Sequence, residues 1–115
     1  MGRPQEPSLW DYDAAMGIHL DLAGFEVEAT DGSIGTIIES SDRAGSSFVV
    51  VDTEHWIGGE RRLIPAGLVR LVNENERTVH VALSKDDIKW APDFREPDRD
   101  SPDLAYDAYY SRFAR

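Results

Sequence analysis

Between Phe25 and Leu83, short runs of β-branched and aromatic residues are broken at close intervals by polar, glycine-bearing turns. Few folds accept that rhythm. Phe25, Val27 and Ala29 alternate with Glu26, Glu28 and Thr30, the period of a strand with one covered face. Asp31-Gly32 follows, a pair that tolerates the positive φ of a two-residue type I′ turn and so sets the register of a hairpin. The return strand is expected to carry Ile34, Thr36 and Ile38 on one face and Gly35 and Ile37 on the other. Gly35 suits a close backbone approach where a small sheet coils.

A turn over 40–47 leads to Phe48-Val49-Val50-Val51, an apolar run that reads as a strand covered on both faces. Trp56-Ile57 and Gly58-Gly59 point to a second hairpin, returning as Arg61-Arg62-Leu63-Ile64 and stopped by Pro65, which has no N–H for a ladder. Leu68–Val72 and Thr78–Leu83 flank the polar stretch Asn73–Arg77 and make a third. Ser84 with Asp87 three residues on is a capping box, so a helix of one to two turns runs toward Pro92. Ser101-Pro102-Asp103 marks a further helix start: a cap, a proline at the first position and an acid at the positive dipole end. The expected fold is all-β: a small, strongly coiled antiparallel β-barrel, with a short helix after the last strand and a C-terminal aromatic helix. Residues 1–20 read as an N-terminal extension, 21–92 as the barrel-like domain, and 93–115 as a charged linker and helix.

The ordered landmarks resemble a known family. Leu22-Ala23-Gly24, Val27, Asp31-Gly32, Ile34-Gly35, the strand 48–51, Trp56-Ile57, Leu63-Ile64-Pro65 and Leu83-Ser84-Lys85-Asp86 through Ala91-Pro92 are similar to a PRC-barrel domain. That domain is the small barrel of the cytoplasmic part of the photosynthetic reaction-centre H subunit and of a ribosome-maturation factor. The resemblance implies a mostly non-enzymatic barrel used for contacts with protein partners. The first relative carries an N-terminal membrane helix and the second a preceding domain. Neither is expected within residues 1–20, which leaves a stand-alone barrel.

Composition narrows the function. The 115 residues hold 12 Lys+Arg against 22 Asp+Glu, a net charge of −10. A field of that sign repels polyanions, and only Arg61-Arg62 are adjacent basic residues, so neither nucleic acid nor an anionic membrane surface is an expected partner. No cysteine is present, which removes disulfides, thiolate catalysis and cysteine-type zinc sites, and fits a cytoplasmic protein. No apolar run approaches a membrane span, and the N-terminus has neither a signal-peptide nor a myristoylation pattern.

Catalytic and metal-binding patterns are thin. His19, His55 and His80 have no spacing that sets two on one helical turn, and His80, between Val79 and Val81, reads as a solvated or edge histidine. The run Asp98–Asp103 fails as a calcium loop, with Pro102 and Asp103 where a third ligand and glycine belong. Asp86 and Asp87 read as first-turn acids of a helix. Gly32-Ser33-Ile34-Gly35 sits in a hairpin and lacks a Lys-Ser/Thr end, so it is not a phosphate loop, and there is no Gly-x-Ser-x-Gly elbow. No catalytic residue, cofactor or metal is expected.

Tyr106, Tyr109, Tyr110 and Phe113 fall at i, i+3, i+4 and i+7, one face of a helix. Folded back, they would close an open end of the barrel. Turned outward, they would form an adhesive face beside Arg112, suited to a homodimer. The expected function is a non-enzymatic, self-associating protein-interaction module. Its candidate interface is Trp10, Tyr12, Trp56, Arg61, Arg62, Tyr106, Tyr109, Tyr110 and Phe113. The alternative is a small-ligand or metal-binding regulator using the acidic loops and histidines.

Overall fold

The hairpins expected around Asp31-Gly32 and Asn73–Arg77 are present, and the strands assemble into one curled mixed sheet. The computed structural model describes residues 9–12, 21–41, 46–53, 61–95, 98, 100 and 104–113. The strands are β1 (Glu26–Ala29), β2 (Gly32–Ser41), β3 (Phe48–Asp52), β4 (Arg61–Pro65), β5 (Val69–Asn73) and β6 (Thr78–Val81). Helices α1 (Lys85–Lys89) and α2 (Leu104–Tyr110) follow, and short 3-10 turns cover Ala66–Leu68 and Ser111–Phe113. Trp56, Gly58-Gly59, His19, His55 and the Ser101–Asp103 cap lie outside the described residues.

The sheet order is β4-β3-β2-β1-β6-β5, so the outermost strands are consecutive in the chain. A flat six-stranded sheet would hold its outer strands about 24 Å apart. The link from Pro65 to Val69 spans at most about 14 Å even when extended. The sheet is therefore curled until its two edges approach at this corner.

Two features of the expected barrel are corrected. No ladder joins β4 to β5 among the described residues, so the sheet is curled but not closed. It is also not wholly antiparallel, because β1 pairs with β6 in parallel. The reason is topological. The β1–β2, β2–β3, β3–β4 and β5–β6 pairings each reverse the chain, whereas the Ala66–Leu68 corner carries it from one edge to the other without reversal. An even number of reversals returns β6 alongside β1 in the same direction.

Strict alternation along β2 also fails. Val27 pairs with Gly35 and Glu28 with Ser33, leaving Ile34 as an extra residue; Ile37 pairs with Val51 and Glu39 with Val50, leaving Ile38 as another. These bulges re-phase the strand, so Ile34 and Ile37 are both buried while Ile38 is exposed. A third bulge in β5, at Arg70, sets both Val69 and Leu71 against neighbouring residues of β6. The first turn is shifted as well. Ala29 pairs with Gly32, so Thr30 and Asp31 form the loop, and Gly32 opens β2 instead of filling a type I′ turn. Gly35 behaves as expected: with φ +149°, it lies where an added Cβ would stand 2.1 Å from the carbonyl oxygen of Asp52.

Phe48 to Val51 are fully buried, as a strand covered on both faces requires. The α1 capping box is complete, with Ser84 Oγ accepting from Asp87 N–H and the Asp87 carboxylate accepting from Ser84 N–H. Asp31 adds a second acid at this helix start by accepting from Lys85 N–H at 2.8 Å. Two of the sequence landmarks, Asp31-Gly32 and Ser84-Lys85, are thus one contact.

Candidate interaction surface

The aromatic stripe of α2 faces inward. Tyr106 and Tyr110 are fully buried in the main core, and Tyr109 and Phe113 are half-buried against it. Each tyrosine hydroxyl has a backbone acceptor within reach. Tyr110 donates to Leu63 O on β4 at 2.7 Å, and Tyr109 to Asp87 O on α1 at 2.5 Å. The Tyr106 hydroxyl lies 2.6 Å from the Asp98 carboxylate and 2.9 Å from Asp93 O. Buried aromatic rings with a satisfied polar tip suit a core position. Burial raises the Tyr110 phenol above its ordinary pKa, and burial followed by the charge of Asp87 raises that of Tyr109.

Trp10 belongs to the same cluster. Its indole donates to Asp107 and its ring meets Tyr106 edge-on at 6.4 Å. Leu9 O accepts from Gly67 N–H and Trp10 O from Ser47 N–H, which holds this segment across the corner between the sheet edges. Tyr12 is half-buried beside it.

Arg62 is buried too. Its guanidinium donates to Ile88 O and Lys89 O at 3.0 Å each, capping the last carbonyls of α1, and pairs with the exposed Asp93 carboxylate. As interface residues, then, Tyr106, Tyr110 and Arg62 are corrected: their contact surface is used inside the chain. Arg61 is exposed, and Trp56 lies outside the described residues. His80 is half-buried on β6, on the face opposite the buried Val79 and Val81. Asp98 serves a local turn, accepting from Arg95 N–H as well as from Tyr106.

The large apolar side chains that do reach solvent lie elsewhere. Trp90 is 71% exposed, Leu104 79% and Leu71 55%. Lys89 Nζ stands 5.4 Å from the Trp90 ring centroid. Helical spacing alone identifies two of these. Residues two apart on a helix point to different sides, so an inward Ile88 turns Trp90 out, and an inward Tyr106 turns Leu104 out. Leu71 carries no such signal, because the bulge at Arg70 decides its face. No helix among the described residues is long and apolar enough to cross a membrane.

No family model and no curated protein matches the chain. Among solved structures, it is similar over 56% of its length to a protein described as the 16S ribosomal RNA processing protein RimM of Pseudomonas aeruginosa, at 18% identity and a TM-score of 0.47. The match spans 42% of that protein. A likeness of this size transfers neither fold nor activity to the chain.

Proposed function

We propose that the chain is a non-enzymatic protein-interaction module of PRC-barrel type, cytoplasmic and self-associating. One observation carries the reading: Leu71, Trp90 and Leu104 stay exposed on a frame whose core already includes its own aromatic helix. Tryptophan is among the residue types most enriched at interface centres, and Trp90 is held out to solvent. The order of sequence landmarks supports the PRC-barrel type, since Asp31-Gly32 meets Ser84-Lys85, and Gly35 meets Asp52, at the tight points of a curled sheet.

The test is capture with the tagged full chain from its own cells, run in parallel with a Trp90→Ala, Leu104→Ala double variant. Both positions are exposed, so the variant is expected to fold as the parent does. A protein captured by the parent and lost by the variant supports the reading. Equal capture by both, joined to strong thermal stabilisation by a metal ion or metabolite, overturns it in favour of a ligand-binding regulator.

A further inference from the structure

The corner where the curled sheet fails to close is covered from both ends of the chain. With no ladder between β4 and β5 among the described residues, buried backbone donors at this seam need acceptors from elsewhere. Leu9 O accepts from Gly67 N–H at 2.8 Å and Trp10 O from Ser47 N–H at 2.7 Å, while Ser47 O accepts from Ala66 N–H. Two backbone bonds do not by themselves offset the entropy lost in ordering the 9–12 strap. The added hold comes from α2: the Trp10 indole donates to Asp107, 97 residues away, and its ring stands edge-on to Tyr106.

Helix α2 depends on its neighbours in the same way. Its seven residues are too few for a stable helix in water, where roughly 12 or more are needed, so tertiary contacts hold it. Tyr110 is bonded to β4 at Leu63 O, Tyr109 to α1 at Asp87 O, and Tyr106 is covered by Trp10. We propose that the 9–12 strap and α2 form one latch over the β4–β5 corner, which opens as a unit while the sheet stays intact, with Trp10 and Asp107 as its catch. The five ladders of the sheet involve neither part of the latch, so lifting it breaks none of them. Opening bares the buried Tyr106 and Tyr110 and frees the Ser47 and Gly67 amides. An apolar surface is thereby offered to a partner only in the open state, and any partner that binds it shifts the population toward opening. The latch is a property of the single chain and does not rest on self-association.

Native-state amide hydrogen exchange of the full chain tests this. In the parent, the amides of Ser47, Gly67 and Ala108–Tyr110 are expected to share one opening constant. They should exchange ahead of Ile37 and Thr30, whose amides donate to Phe25 O and Leu83 O outside the latch. Asp107→Ala removes a charged acceptor and should raise opening at all the latch amides by about tenfold, with Ile37 and Thr30 unchanged. Trp10→Phe should do the same from the strap side, and the combined variant should add little, because both changes remove one bond. Faster exchange at Ser47 and Gly67 without α2 overturns the latch, since the strap then moves alone. An equal acceleration at Ile37 and Thr30, or none at any latch amide, overturns it as well.

Discussion

The hydroxyl of Tyr110 donates to the carbonyl oxygen of Leu63 at 2.7 Å, joining residues 47 apart in the chain. That bond ties the last helix to an edge strand. Tyr110→Phe keeps the ring and leaves a buried carbonyl without its partner, at a cost of about 1–2 kcal/mol in urea unfolding. Tyr109→Phe, at a half-buried position where water can replace the lost donor, is expected to cost less than about 1 kcal/mol.

Alkaline pH acts on the same helix. Both phenols have folded-state pKa values raised above 10.0, the ordinary tyrosine value, so the folded chain resists forming tyrosinate. The stability this represents is fully present below that value and is lost as pH rises toward the folded-state pKa. The contribution of these two phenols to stability should therefore decline above pH 10.0, with the tyrosinate absorbance of Tyr110 appearing only as the fold is lost. A Tyr110 that ionises while circular dichroism stays native would contradict this.

At Gly35 the constraint is steric. A methyl group there would stand 2.1 Å from the Asp52 carbonyl oxygen, and the strand backbone on either side cannot move without breaking the β2–β3 ladder. Gly35→Ala is expected to cost on the order of 4 kcal/mol or more, seen as insoluble expression or a lost melting transition. Gly32→Ala meets only the flexible Lys85 side chain and should cost about 1–2 kcal/mol, from its φ of +141°.

Arg62 and Asp93 form an unequal pair. Arg62→Ala uncaps two carbonyls of α1 and opens a gap between β4 and that helix, for an expected loss of about 3 kcal/mol. Asp93→Ala removes an exposed partner and should cost less than about 1 kcal/mol. Comparable losses in chemical denaturation would mean that the carboxylate, not the carbonyls, holds the guanidinium.

The parts of this fold legible in the sequence are those decided by near neighbours. Ser84 and Asp87 cap a helix three residues apart, and the apolar run at 48–51 marks a buried strand regardless of what covers it. What escaped depends on distant partners. Arg61-Arg62 reads as a basic surface pair because the carbonyls that receive Arg62 come from Ile88 and Lys89, on a later element. The bulges at Ile34, Ile38 and Arg70 leave no mark in composition, since they answer the twist of the curled sheet rather than a local preference. The exposure of Trp90 and Leu104 is legible from helical spacing, since each stands two residues from an inward side chain, Ile88 on α1 and Tyr106 on α2.

The parallel contact between β1 and β6 has a consequence for synthesis. Strand β1 lies inside the sheet, yet one of its two neighbours is encoded about half the chain later. As the polypeptide leaves the ribosome, β1 through β4 can zip into hairpins while the flank of β1 waits unprotected for Thr78 to Val81. The nascent chain is therefore most prone to sticking to its neighbours just before its last strand emerges, and a ribosome stalled in that interval would hold a half-sheet with a bare inner seam.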